Sequence, residues 1–271
     1  MNAAQDTAAG VSAARRTTRA LRTVIVDTLR EAVRGRWIWM SVLGALCVAG
    51  IAVFARSLAL TEEHALALAF AAPAARLFAV LIVALSAIVS VSREQADRTL
   101  LLALAAPMSR TVWIAGKALG LIVMAVVTAV ILTLPVLAFG PPPAALLAWS
   151  LTLALELAVI ASVSLAIAIV LTQVPPAVCA VLAFYVLARD LHVVQLLAQR
   201  AQDYSELGPA GPVVQAVSLF FPRLDLFART EWLLGTPVGG WDLATVAAQA
   251  VVYLLLALCV ATLDLRRAQF A

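Results

Sequence analysis

Six runs of apolar residues, 38–56, 74–92, 113–139, 144–171, 175–198 and 243–263, occupy most of this chain. Each is long enough, or nearly so, to cross about 30 Å of hydrocarbon at about 1.5 Å per residue. A segment in lipid must satisfy its own backbone polar groups, and no alternating pattern that could close a barrel is present, so the runs are expected to be helices. With 64% hydrophobic residues, 13% charged residues and a mean hydropathy of +1.02, nothing is left over for a second, soluble domain. The second run is the least regular. Its apolar character begins at Ala65, and Pro73 and Arg76 interrupt it, so its outer end is expected to be a short re-entrant or interfacial piece.

Several function classes drop out at this level. Cys47, Cys179 and Cys259 each sit inside an apolar run, where a thiol behaves as a small hydrophobe, and they imply no disulfide framework. His64 and His192 lie far apart with no Cys, Asp or Glu at ligand spacing, so no metal site is expected. The pI near 9.4 could suggest nucleic acid, but the arginines lie at segment ends without interleaved aromatics. No small-residue cleavage site closes a short apolar core near the N-terminus, so a cleaved signal peptide is not expected.

The basic residues report topology instead. With the N-terminus in the cytoplasm, thirteen of nineteen fall on that side: Arg15, Arg16, Arg19, Arg22, Arg30, Arg34, Arg36, Arg93, Arg98, Arg110, Lys117, Arg266 and Arg267. Arg56, Arg76, Arg189, Arg200, Arg223 and Arg229 then lie outside or near the outer leaflet. An even number of spans returns the C-terminus to the cytoplasm, as its own arginines require. The chain is therefore expected to be a multi-pass protein of a bacterial cytoplasmic membrane.

Residues 1–14 read as a flexible tail and 15–37 as a helix lying in the membrane surface. Leu21, Val24, Ile25, Leu29, Ala32, Val33 and Trp37 recur at helical spacing, while Arg22, Asp27, Arg30, Glu31 and Arg34 fill much of the other face. A helix of this kind could be a lipid anchor or a partner helix; one that runs straight into a span is more simply an interfacial elbow. Spans one to five occupy 38–198, span six 243–263, and 264–271 form a cytoplasmic tail. Spans three and four are joined at "GPPP" (140–143) and four and five at "TQVPP" (172–176), both tight proline-broken turns. The external segment is 199–242, in which Val213 to Phe221 reads as a short helix at the outer face.

Between spans two and three, 93–117 becomes a cytoplasmic hairpin. Arg93, Glu94, Asp97 and Arg98 hold its start in water; Thr99 can cap a short helix from Leu100 to Ala105, which Pro107 stops. Leu100, Leu101 and Leu104 would form an apolar face, which either invites a partner or folds back on the membrane. The order Glu94, Thr99, Leu100, Leu101, Leu104, Pro107, Ser109, Arg110, Gly116 and Lys117 resembles the pattern of permeases of the ABC-2 transporter superfamily. There, an acidic residue, a Gly-Thr-Leu step, a Leu-Leu pair, Pro-x-Ser-Arg and Gly-Lys join spans two and three. "FPRLDLF" (221–227) is similar to members grouped with multicopper-enzyme maturation systems. Arg98 stands where the family has glycine, which would lengthen the helix by a residue or two.

What the resemblance implies is a single transmembrane domain over 1–271, with an elbow helix, a cytoplasmic coupling helix between spans two and three, and six spans forming half of a transport pathway. The partners implied are a second permease subunit, identical or not, and two ATPase subunits gripping the hairpin through Glu94, Thr99, Leu100, Leu101, Leu104, Pro107, Ser109 and Arg110. ATP and Mg would be bound on those subunits, with no cofactor on this one. Consistently, no G-x-x-x-x-G-K-[ST] occurs; "TVWIAGKA" lacks the first glycine and the hydroxyl residue. The expected function is that of a non-catalytic permease subunit, more simply an exporter, in contact with membrane lipid and open to a periplasmic partner at 199–242. A membrane anchor that recruits an ATPase or maturation factor is the alternative. A secondary transporter is a third, disfavoured by the lack of an inverted repeat.

Ionisable groups inside a span ask for a partner or a water-filled path. Glu156 lies near the middle of span four, Arg189 and Asp190 lie in span five, and counting from the turn near 173 sets Glu156 and Arg189 at similar depth. They are either a charge pair near the pathway or, alternatively, Arg189 snorkels to headgroups with Asp190 beside it. Gly44, Gly116 and Gly120 permit close helix packing, but their spacing is common in polytopic proteins and assigns them no special role.

Overall fold

The computed structural model describes residues 2–58, 62–97, 109–203 and 221–267, and among them it contains helices and turns but no strand. In chain order the elements are α1 (Asn2–Arg34), α2 (Trp37–Leu58), α3 (Glu63–Ala96), α4 (Arg110–Leu137), α5 (Pro143–Val170), α6 (Val174–Asp203), a 3-10 turn (Leu224–Leu226), α7 (Thr230–Leu233) and α8 (Gly240–Arg267). Five of these helices, α2, α3, α4, α5 and α8, are long and apolar enough to cross a membrane. The chain is thus an all-helical protein with multi-pass membrane character. Residues 98–108, which hold Thr99, Leu100, Leu101, Leu104 and Pro107, lie outside the described residues, as do Val213 to Phe220.

Helix α5 is the axis of the bundle. It packs against α3, α4, α6 and α8, and Trp149, Leu153, Leu157, Ile160 and Leu165 along it are fully buried. Helices α2 and α8 lie at the periphery, with Leu43, Leu46, Val53 and Phe54 of α2 and Val251, Val252, Leu255 and Leu256 of α8 turned outward. An apolar outer surface on a helix that also has an apolar inner surface suits lipid as the solvent. Trp39 and Trp241, both strongly exposed, stand near the starts of α2 and α8, where an indole can sit at a membrane–water interface.

Three features differ from the sequence reading. The region expected to be a broken second span is one continuous helix, Glu63–Ala96, with Pro73 inside it. A proline removes one backbone donor, and neighbouring helices make that tolerable in a buried membrane helix. Residues expected to form a flexible tail belong to α1, which begins at Asn2; the elbow comes at Gly35 and Arg36, where the Gly35 amide donates to the Glu31 carbonyl at 2.8 Å and Arg36 takes a left-handed φ of 63°. The helix resumes at once at Trp37, whose indole Nε1 donates to Thr128 Oγ1 of α4 at 2.9 Å. The third difference concerns the segment expected outside the membrane. Residues 199–203 continue α6, and from Phe221 onward the chain folds back against the bundle, with Leu224, Phe227 and Ala228 fully buried.

The prolines sit where their chemistry allows. Pro143 occupies the first turn of α5, and Pro175 and Pro176 that of α6, positions whose amides have no intrahelical partner in any case. At the other end of α5, the last carbonyls are likewise without intrahelical donors. Gln95 supplies one: its side-chain amide donates to the carbonyls of Ala168 and Ile169 at 3.2 and 3.4 Å, clamping the end of α3 to the end of α5.

Candidate functional site

Two clusters of charged side chains lie inside the bundle. The first is centred on Lys117, which the sequence placed in the hairpin and the structure buries completely within α4. Its ammonium has three donors and uses each: Glu94 Oε1 accepts at 2.6 Å, Ser90 Oγ at 2.7 Å and Glu31 Oε2 at 3.0 Å. Ser90 in turn donates to Glu31 Oε2 at 2.6 Å. Three helices therefore meet at one nitrogen: α1 through Glu31, α3 through Ser90 and Glu94, and α4 through Lys117 itself. Glu31, assigned by periodicity to the polar face of the elbow, is turned inward instead.

Glycines make this meeting close. A Cβ on Gly116 would lie 2.8 Å from Val24 Cβ, and one on Gly120 would lie 2.8 Å from Thr28 Cβ, so α1 rests directly on the backbone of α4 on either side of Lys117. These glycines, to which the sequence assigned no special role, are the seat of the elbow. Small residues let backbones approach, and the approach brings Glu31 within reach of a buried ammonium. Gly44 is less demanding, since the nearest atom to a Cβ there is the tip of the Ile82 side chain at 3.1 Å, with Leu132 and Phe78 at 3.5 and 3.6 Å.

The second cluster sits halfway along the bundle. Glu156, near the middle of α5 and fully buried, has Arg189 Nη1 of α6 3.5 Å from Oε1 and Arg76 Nε of α3 3.9 Å from Oε2. The structure thus brings Glu156 and Arg189 together and adds Arg76, which the sequence had set near the outer leaflet. Asp190 does not join them; it is exposed. Both guanidiniums also turn to the backbone of the segment after α6. Arg189 Nη1 donates to the carbonyls of Leu224 at 2.6 Å and Phe227 at 3.3 Å, and Arg76 Nη2 donates to the carbonyl of Ala228.

Ala228 is the keystone of that segment. Its carbonyl also accepts from Trp149 Nε1 at 3.1 Å, and its amide donates to Thr152 Oγ1 at 3.2 Å, so both of its backbone polar groups are held by α3 and α5. The positive φ of 44° at this alanine is the conformation that lets them point inward together. Buried charges and buried loop backbone each carry a desolvation penalty, and here each offsets the other's. Nothing local in the sequence links "FPRLDLF" to these arginines, since pairing a loop carbonyl with an arginine 152 positions earlier needs the fold.

Of the residues expected to form a coupling site, Glu94 is bound to Lys117, and Ser109 and Arg110 begin α4. The Ser109 carbonyl accepts from Val112 and Trp113 at 3.0 and 3.2 Å, while its hydroxyl lies 3.1 Å from that of Thr111. Among the described residues no group of three or more His, Cys, Asp or Glu side chains is arranged to hold a metal ion. A scan against protein-family models finds none that matches this chain, and a search of curated proteins returns no relative.

Proposed function

We propose that this chain is the permease subunit of an ATP-driven transporter of the ABC-2 type, and that it works as a dimer with separate ATPase subunits. The observation that carries the reading is the bonding of Lys117 to both Glu94 and Glu31. Glu94 stands at the head of the expected 93–117 hairpin and Glu31 near the end of the elbow. In this reading a push on the hairpin by a closing ATPase is passed to the elbow and the third span through the Lys117 ammonium. In the same reading α6 also crosses the membrane, as the fifth of six spans, the hairpin and both termini are cytoplasmic, and the chain itself hydrolyses nothing.

Burial strengthens the charge argument for that orientation. Lys117, Arg76 and Arg189 belong to the interior and are not loop charges. Removing one from the thirteen and two from the six leaves twelve basic residues against four. The pathway would run along the spans near the Glu156 cluster, and export is the simpler direction.

The test is co-purification. A tagged permease should retain its ATPase subunit through detergent extraction, and Leu101→Asp with Leu104→Asp should abolish that retention while leaving membrane insertion intact. Retention unchanged by the double substitution would remove the docking role from the hairpin.

A further inference from the structure

The outward face of α6 carries a charge where the other outward faces carry none. Asp190 is exposed, and among the described residues no hydrogen bond or ion pair holds it. Its neighbour Arg189 reaches Glu156 Oε1 at 3.5 Å, which sets Asp190 near the level of that mid-bundle cluster. A carboxylate turned toward lipid at such a depth is costly and asks for a partner. By contrast, α2, α4 and α8 present Leu43 and Phe54, Val126 and Val130, and Val252 and Leu255, side chains that suit lipid as they stand.

The residues around Asp190 form a regular line. Helix α6 packs inward on α3 and α5 through Ala177, Val181, Tyr185 and Ala188, all buried. Outward, Cys179, Ala183, Val186, Asp190 and Val193 are exposed, at intervals of four, three, four and three residues. A repeat of about 3.5 residues is the seam along which one helix meets another, narrower than the face that lipid accepts. Cys179 and Ala183 are small enough for a second backbone to come close.

The charges on this face match a second copy of it. The bias of basic residues inserts every copy the same way up, so a two-fold axis along the membrane normal runs two α6 helices in parallel with Asp190 at equal depth. With Asp190 in the a position of the repeat, Arg189 is the g residue just before it. In a parallel pair, the hole that receives an a side chain is built from four residues of the facing helix, that g residue among them. The side chain of Arg189 is 21% exposed even with Nη1 engaged inside the bundle. Each copy therefore offers both the carboxylate and the cation that the other needs.

We propose that α6 is the interface between two copies of this chain, packed in parallel along Cys179, Ala183, Val186, Asp190 and Val193, with Asp190 of each copy paired to Arg189 of the other. This deepens the dimer reading given above and rests on α6 crossing the membrane.

Disulfide cross-linking of the full chain in its membrane tests the seam, because a disulfide forms only where Cα atoms come within about 7 Å. With Cys47 and Cys259 replaced by Ala, oxidation should trap a dimer through Cys179. On adding Cys179→Ala, it should do so through Ala183→Cys, Val186→Cys and Val193→Cys, but not through Val178→Cys or Ala180→Cys, which lie off the seam. Native mass spectrometry should show Asp190→Ala raising the dissociation constant of the dimer about tenfold, Asp190→Lys raising it further by setting two cations together, and Asp190→Glu restoring it. A dimer by mass that cross-links only off the seam, or whose dissociation constant ignores Asp190→Ala, overturns this interface and leaves the dimer reading standing. A chain that is monomeric by mass sinks both. A cross-linked product of any mass other than twice that of the chain overturns the choice of a second copy. So does a cysteine at 186 that neither cross-links nor reacts with a thiol reagent, which would assign the seam to residues 204–220 of the same chain.

Discussion

Lys117 and Glu94 lie 2.6 Å apart, ammonium to carboxylate, across the two helices that flank residues 98–108 in the chain. Lys117→Met should leave Glu31 and Glu94 facing each other around an uncharged side chain. Removing one partner of a buried ion pair typically costs about 3–5 kcal/mol, and the detergent melting temperature should fall accordingly. Adding Glu94→Gln to Lys117→Met should lose less than the two single losses combined, since the second change removes a charge the first had stranded. Strict additivity in that cycle would mean the two groups are not coupled.

The seating of α1 on glycine gives a graded expectation. Gly120→Ala forces a Cβ to within 2.8 Å of Thr28 Cβ, and Gly116→Ala meets Val24 Cβ at the same distance, whereas nothing lies within 4 Å of a Cβ at Gly50. Overpacking of this kind costs about 1–3 kcal/mol. Limited proteolysis should therefore cut α1 faster in the Gly116 and Gly120 variants and at the native rate in Gly50→Ala. Equal cleavage in all three would place α1 elsewhere.

In the mid-bundle cluster the order of losses is set by what each change leaves behind. Glu156→Gln strands two guanidiniums in the interior and should be the most destabilising single change, by about 3–5 kcal/mol. Arg189→Gln leaves Glu156 still beside Arg76, and Arg189 itself is 21% exposed, so its loss should be the smaller. Thermal unfolding of the purified single variants ranks them, and an Arg189→Gln loss equal to that of Glu156→Gln would contradict the shared-carboxylate geometry.

Ala228 offers the opposite sign. Glycine adopts positive φ without a Cβ penalty, so Ala228→Gly should keep its bonds to Trp149, Thr152 and Arg76 and leave stability unchanged or raise it by up to about 1 kcal/mol. Trp149→Phe, which deletes one donor to the Ala228 carbonyl, should lose about 1 kcal/mol. Denaturant midpoints of the two variants, moving in different directions, would verify that the backbone at 228 is held in this conformation.

How far the sequence carries can be judged from these same residues. Apolar length alone places some helices: the run 38–56 falls inside Trp37–Leu58, and 144–171 nearly coincides with Pro143–Val170, whereas 74–92 misses the first eleven residues of Glu63–Ala96. Similar counting from the turn near 173 put Glu156 and Arg189 at one depth, because antiparallel helices joined by a short turn share a length scale. Arg76 was misplaced for a reason equally physical. An arginine beside a proline looks like the end of a span unless its carboxylate is known, and Glu156 is 80 positions away. Lys117 misled in the same way. The two carboxylates that make its burial affordable lie 23 and 86 positions off, and periodicity ranks one of them as a surface residue.

The cluster around Glu156 sets two fixed guanidiniums against one carboxyl group near the middle of three helices. Whatever the protonation of that carboxyl, the site carries at least one excess positive charge at a depth where little water is available to screen it. A fixed positive charge inside a bundle is an electrostatic barrier to cations, the device by which an arginine in a narrow pore turns protons and metal ions away. Proton and sodium ions would therefore meet a barrier at Arg76 and Arg189, whichever function the bundle around them serves.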